Sequence, residues 1–349
     1  MAVSAVLRDW IGVYFMQRSL LLVNYCIDPN DPSLAHQYEV LLRVAANFEK
    51  VTVITTRNAV KDLPANIDVN VIPWTPQKRL LNSFRLFWVA LVILIKDKPS
   101  YVFTHMLPKH AIVVGLITKS LGIRHVLWYA HASKPLSLIF ANFLVSGIVT
   151  STPGSCPLKG TKVRCIGQGI DRSFFQRTVH SPISLNHFLY VGRMDKSKNV
   201  QLIIDVLEEL RTERPNIRLT LIGNNAPSFV DESQEAWIST KNSIPRSDLS
   251  KEYGKYDVFI HAFLGSLDKV LIEATLVGLP VLTLNSEYLN EFIPWSSNHR
   301  TTLPDQVAGL YQKSQSEISS ILNHNYLVAI SRHEIDGWVK RLTEFIVSA

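Results

Sequence analysis

Residues Phe188 to Leu207 read FLYVGRMDKSKNVQLIIDVL. An apolar run ends at Gly192, a basic loop follows, and from about Asn199 the apolar residues recur at helical spacing. This is the pattern of a buried strand, a turn and an amphipathic helix. A second unit follows at Tyr256 to Leu284, YDVFIHAFLGSLDKVLIEATLVGLPVLTL, with a strand, a small-residue loop at Gly265 to Asp268, a helix carrying Glu273, then Gly-Leu-Pro leading into another strand. Strands at Phe188 to Val191, Leu219 to Ile222, Val258 to His261 and Pro280 to Leu284 give parallel strands joined by crossover helices.

The same rhythm runs through the first half. Strand candidates are Leu20 to Asn24, Val51 to Thr55, Val69 to Ile72, Tyr101 to Thr104, His125 to Trp128 and Gly147 to Thr150. Helical patterns lie at His36 to Asn47, Lys78 to Lys96 and His110 to Ser120. A polar, aperiodic bridge from Asp171 to Ser184 separates the halves. The fold class is therefore α/β, with two Rossmann-like doubly wound domains facing each other across a cleft. The expected domains are 1–174 and 175–332, with a helix over 333–349 that carries Ile335, Trp338, Leu342 and Ile346 at helical spacing and crosses back to the first domain. No repeat of 20 to 50 residues and no low-complexity segment is present.

The chain has 349 residues, 47% of them hydrophobic and 19% charged, which suits two packed domains rather than a disordered tail or a disulfide scaffold. The formal charge is +7, carried by the first half: residues 1–170 hold 18 Lys or Arg against 8 Asp or Glu, and residues 171–349 hold 18 against 21. Cys26, Cys156 and Cys165 form no C-x-x-C pair and have no His at zinc spacing, so a reducing cytoplasm is expected. Ala2 to Phe15 is too polar for a signal-peptide core. The most apolar run, Leu86 to Ile95, is half of the roughly 20 residues that cross a bilayer.

Two places carry chemistry. Arg193 and Lys198 flank a helix start whose unpaired N–H groups suit a phosphate or diphosphate, although a solvated basic turn has the same composition. Glu273 lies in an otherwise apolar helix one turn from the Gly265 loop, where its carboxylate needs a partner to offset desolvation. Sugar or ribose hydroxyls would serve, and so would Lys269, four residues earlier.

The ordered motifs GR with a Lys five residues after the Arg, LIGNN, DVFIHA, IEATLVGLPV and, at the end of the first half, IGQGID resemble the retaining GT-B glycosyltransferases of family 4. The likeness is strong over the second domain and loose over the first. It implies transfer of a sugar from a nucleotide donor, bound by the second domain, to an acceptor against the first. By that resemblance Arg193 and Lys198 hold the diphosphate, Glu273 the ribose, and Ile244 flanks the base. Gly192 and Gly223 belong to the same donor site. The family often has a Glu eight residues before its equivalent of Glu273, contacting the sugar. This chain has Gly265 there, so Ser266, Asp268 or the backbone of Leu267, Lys269 and Val270 would take over. The family's N-terminal Gly-Gly loop is replaced by DPNDPSLAHQYE, which leaves the acceptor-side loops unassigned. His131, in VLWYAHASKP, follows a strand at the place where the family often has a His near the donor sugar, in a loop expected to face the cleft. His36, His105 and His110 are read as structural or acceptor contacts.

The resemblance further implies retention at the anomeric carbon without a metal, with Arg193, Lys198 and helix N–H groups stabilising the leaving diphosphate. No cofactor is expected beyond the nucleotide-sugar substrate. No hydrolase-style carboxylate pair suggests a covalent glycosyl enzyme. A hinge near Ile170 to Phe175 would let the domains close and exclude water. Between Lys98 and Ile170 there are eight Lys or Arg and no Asp or Glu, and upstream lies QKRLLNSFRLFWVALVILIK. That composition suits either peripheral contact with anionic lipid or a buried helix with a basic end. On the first reading the acceptor is a glycan or lipid-linked saccharide, as in bacterial surface-polysaccharide assembly. Nucleic acid is not expected, for want of a stacking or helix-reading motif. Two other readings remain, a GT-B-like nucleotide-sugar epimerase and a non-catalytic carbohydrate-binding or scaffold protein. An NAD oxidoreductase lacks its G-x-G-x-x-G after the first strand.

Overall fold

The computed structural model describes residues 18–31, 34–178, 184–224, 236–297 and 301–348. The chain divides into two compact units, residues 1–169 with 335–349, and residues 170–334.

The first unit contains β1 (Ser19–Val23), β2 (Cys26–Ile27), α1 (Ala35–Ala45), β3 (Lys50–Thr55), β4 (Arg57–Asn58), β5 (Ile67–Val71), α2 (Arg79–Lys96), β6 (Tyr101–His105), α3 (Pro108–Ser120), β7 (Arg124–Trp128), α4 (Leu136–Leu144), β8 (Gly147–Thr150) and β9 (Val163–Cys165). Seven of these strands form one parallel sheet in the order β5-β3-β1-β6-β7-β8-β9, and β2 pairs with β4 beside it. Strand side chains alternate between faces. Leu20, Leu22, Val53 and Phe103 pack against α1 and the terminal helix Ile335–Val347, whereas Leu21, Val23, Ile54 and Val102 pack against α2 and α3. The terminal helix is fixed by Trp338, edge-on to Trp128 at 5.1 Å, and by Arg124, which donates to the Phe345 carbonyl at 2.8 Å.

The second unit continues with β10 (His187–Val191), α5 (Val200–Arg211), β11 (Arg218–Ile222), β12 (Ile238–Lys241), α6 (Arg246–Tyr253), β13 (Val258–His261), α7 (Lys269–Val277), β14 (Val281–Thr283), α8 (Ser286–Leu289), α9 (Leu303–Tyr311) and α10 (Gln315–His333). Its parallel sheet has the order β12-β11-β10-β13-β14. The chain moves outward from β10 through β11 to β12 and then returns to the other side of β10 with β13. That reversal is the switch point at which loops part and ligands bind in open α/β sheets. The loops after β10 and β13 are the stretches singled out by sequence.

Two buried histidines tie the first unit's stability to pH. Burial lowers His110, which lies against Trp74 with ring centroids 4.6 Å apart, to about 4, and lowers His125, bonded to Thr104 at 2.9 Å, to about 3. A histidine depressed in the folded state contributes fully above the unfolded value of 6.5, and that contribution is lost progressively as pH falls from 6.5 to the folded value. At pH 5 each has forfeited about 2 kcal/mol, about 4 kcal/mol together. Urea titrations at pH 7.5 and 5 should show that loss, and His110→Phe, which keeps a ring against Trp74, should remove about half of it. A stability independent of pH over this range would contradict the assignment.

Candidate donor site at the switch point of the second unit

β10 is followed by Gly192, whose N–H donates to the Ile222 carbonyl at 3.0 Å, and β11 by Gly223, whose N–H donates to the Lys241 carbonyl at 3.0 Å. Gly223 has φ +159°, and a Cβ there would run into the backbone carbonyl of Gly192. The two strand ends therefore approach more closely than any side chain permits. Beyond Gly192 the loop is held from below by the buried Tyr190, whose hydroxyl donates to the Arg193 carbonyl at 2.7 Å. From above, Asp195 accepts from the Ser197 N–H at 3.0 Å. The Ser197 hydroxyl is the largest influence lowering the Asp195 carboxyl, with Arg193 and Lys198 adding to it. Asn199, left-handed at φ 53°, then turns the chain into α5.

This geometry separates the two cations. Arg193 is exposed and pairs with Asp195 at 3.1 Å. Lys198 is only 7% exposed; its ammonium lies 3.8 Å from the centre of the Phe263 ring and forms an ion pair with Asp268. Asp268 is the N-cap residue of α7 but makes no side-chain cap bond there. Its carboxylate faces Lys198 and His261 instead, with His261 Nε2 at 3.4 Å. Burial alone would raise the Asp268 carboxyl; the His261 hydrogen bond and the Lys198 charge outweigh it and hold the group below the usual carboxylate range. Burial lowers His261 below its ordinary value despite Asp268. It is neutral at pH 7, with its proton on Nε2 toward Asp268 and Nδ1 facing the Thr283 hydroxyl at 3.3 Å.

The loop Phe263 to Asp268 is fixed by Asn285. Its Nδ2 donates to the carbonyls of Gly265 at 3.0 Å, Ser266 at 3.2 Å and Phe263 at 3.3 Å, while its Oδ1 caps α8 through the Tyr288 N–H at 3.1 Å. Ser266 and Leu267 are buried, and Lys269 and Val270, the first residues of α7, are half-buried. The Phe263 ring fills the space that a Cβ on Gly265 would enter, so the Glu that the family often has at this position does not fit unless the ring moves. Glu273 is 5% exposed, and Tyr253 donates to it at 3.3 Å. Ile244 is half-buried against the core of this unit.

His131 belongs to the first unit. It is exposed after β7, and its Nδ1 accepts from the Ser133 N–H at 3.0 Å, which leaves the proton on Nε2. His105 is buried among Phe103, Trp128 and His36, and His110 is buried against Trp74. Cys26, Asp28 and Asp31, the last two in the DPNDPSLAHQYE stretch, gather within 4.8 Å. Arg57 fills that cluster, donating to Cys26 Sγ at 3.1 and 3.3 Å and pairing with Asp31.

Three residues of the site escaped the sequence reading: Asn285, Phe263 and His261. Asn285 had a local signal, an Asn directly before a short helix. His261 stood in the quoted DVFIHA motif at a strand's end. Phe263 had none, because an aromatic beside a small-residue loop reads as core.

Residues 186–315 match the family model of glycosyl transferases group 1. A search of curated proteins gives no match. Among solved structures, the chain resembles sucrose-phosphate synthase from Thermosynechococcus elongatus, with a TM-score of 0.74 at 12% identity over 94% of this chain and 98% of that one. It also resembles the lipopolysaccharide outer core galactosyltransferase WaaB, with a TM-score of 0.66 at 10% identity over 94% and 99%. WaaG, a glycosyltransferase involved in lipopolysaccharide biosynthesis, gives 0.63 at 16% identity over 95% and 100%. The chain thus has the GT-B glycosyltransferase fold, and its second unit carries the pattern of glycosyl transferases group 1.

Proposed function

We propose that the protein is a retaining, metal-independent glycosyltransferase that moves a sugar from a nucleotide donor to a glycan or lipid-linked saccharide in cell-surface polysaccharide biosynthesis. The observation that carries this reading is Lys198. A buried ammonium beside the positive end of a helix dipole is unfavourable unless an anion faces both. In the free protein Asp268 is that anion. A donor diphosphate would join it, held by Lys198, by Arg193 from the exposed side of the loop, and by the first N–H groups of α7. Glu273, which accepts from Tyr253, is the proposed ribose contact, and Ile244 the proposed neighbour of the base. With Phe263 over Gly265, the sugar would be met by Ser266 and by the backbone from Leu267 to Val270 rather than by an added carboxylate.

In the reaction the bond from the anomeric carbon to the diphosphate oxygen breaks, and negative charge develops where Lys198 and the helix N–H groups lie. The acceptor hydroxyl forms the new bond on the same face, and its proton passes to the departing phosphate. His131, with its proton on Nε2, is proposed to contact the reacting sugar. The glycosyl transferases group 1 match over 186–315 supports the transfer, and the lipopolysaccharide roles of WaaG and WaaB suggest the acceptor class.

A thermal-shift screen against UDP, GDP, ADP and CMP and their sugar conjugates tests the donor site, since a ligand of the native state raises its melting temperature. One nucleotide should stabilise selectively, and its sugar conjugate should be consumed only when an acceptor is present. Epimerisation of the conjugate without acceptor would favour the epimerase reading. No stabilisation of the folded protein by any nucleotide would overturn the donor site.

A further inference from the structure

Helix α2 is apolar on nearly every side, yet only one side is covered. Leu86, Ala90, Ile93 and Leu94 pack on the sheet. Leu80, Phe84, Trp88, Val92 and Ile95, three or four residues apart, form a stripe on the opposite side and are each between 50 and 88% exposed. A helix apolar all round is normally enclosed. The neighbouring helices also carry exposed apolar residues: α2 packs beside α3 and α3 beside α4. Leu116 is exposed on α3, and Leu136, Phe140 and Phe143 form one exposed row on α4, whose sequence LSLIFANFL has no charged residue. Exposed apolar rows on neighbouring helices of a folded protein mark an interaction surface.

Its surroundings are strongly basic. Residues 69–170 contain twelve Lys or Arg and one carboxylate, Asp97. Arg85 is exposed on α2 beside Phe84. Lys119 donates to the Phe143 carbonyl at 2.9 Å and Lys162 to the Asn142 carbonyl at 3.0 Å, which places two ammonium groups at the C-terminal end of α4, the turn that carries the exposed Phe143.

We propose that this three-helix face docks on the surface of an anionic lipid bilayer, with Trp88 and the phenylalanines entering the interface and the lysines and arginines meeting the headgroups. Charge decides the occupant. A second copy of the chain would set two basic rims against each other, whereas an anionic bilayer neutralises one. Among the described residues no helix is long and apolar enough to cross a membrane, so these helices would lie on it. Lipid binding requires no turnover and stands apart from the transferase reading.

The test is flotation of the full chain with phosphatidylglycerol–phosphatidylcholine vesicles and with pure phosphatidylcholine vesicles. Binding to the mixed vesicles should be at least about tenfold tighter and should weaken as salt rises, because the cations contribute through a screened field. Trp88→Asp combined with Phe140→Asp, both at exposed positions, should reduce binding at least about tenfold while the circular dichroism and the nucleotide shift stay as in the wild type. Brominated lipid should quench tryptophan fluorescence in the wild type and much less in Trp88→Phe. Absence of flotation with mixed vesicles, equal flotation of the double variant, or a dimer seen by light scattering that Trp88→Asp dissolves would each overturn the proposal, the last in favour of a second copy as occupant.

Discussion

Lys198→Ala should lower the affinity for the nucleoside diphosphate about a hundredfold while the second unit stays folded. A hydrogen bond from an ammonium to a phosphate contributes about 1.5–3 kcal/mol, and about 1.4 kcal/mol is a factor of ten. The substitution also leaves the Asp268 carboxylate facing the incoming anion without its cation. Folding should survive, because the Asp268 side chain is 30% exposed and water can take over part of its solvation. The double variant Lys198→Ala with Asp268→Asn isolates the second effect: removing the carboxylate should restore part of the lost affinity. Calorimetric titration of the three proteins measures both steps. Wild-type affinity in a folded Lys198→Ala protein would contradict the assignment. Arg193, exposed and already paired with Asp195, should matter less, by several-fold.

Gly223→Ala should destabilise the second unit by about 3 kcal/mol, which for a unit of this size is a fall in Tm of about 6–12 °C. The added Cβ meets the Gly192 carbonyl, which is backbone and cannot rotate away. Relief requires the ends of β10 and β11 to separate, which weakens the Gly192 to Ile222 and Gly223 to Lys241 hydrogen bonds and moves the loop that carries Arg193 and Lys198. Gly122 supplies the control. It is left-handed at φ +67° with nothing within 4 Å of a Cβ, so Gly122→Ala should cost only the conformational part, about 1 kcal/mol. Similar losses for the two variants in thermal melts would mean that close approach at Gly223 is not what requires glycine there.

Much of the fold was legible because a strand buried on both faces of a parallel sheet is a continuous apolar run bounded by polar turns. Phe188 to Val191, Leu219 to Ile222 and Val258 to His261 lie within a residue of β10, β11 and β13. β12, reading ISTK, and β9, reading VRC, were not expected, since short edge strands have little apolar content. Helix α10 also escaped, because its apolar residues do not settle on one face. Its start nevertheless had a readable signal in the reciprocal bonds of Ser314 and Glu317. The stretch around Leu86 to Ile95 suggests either a buried helix or contact with anionic lipid; α2 is buried on one side only, and the exposed side leaves the lipid contact a proposal. At the site, Lys198 and Asp268 were each singled out, but a pair seventy positions apart in sequence is produced by strand order rather than by any local pattern. The clamp that Asn285 places on the Gly265 loop was hidden for the same reason.

On the proposed function, the switch point of the second unit binds a diphosphate. The most direct measurement is a calorimetric comparison, on the wild-type protein, of the nucleoside diphosphate that gives the largest thermal shift with its parent nucleoside. If Lys198, Arg193 and the head of α7 hold the phosphates, the diphosphate should bind at least about a hundredfold more tightly, and the gap should narrow in Lys198→Ala. Equal affinities for nucleoside and diphosphate would show that the buried lysine and the helix start serve the fold alone.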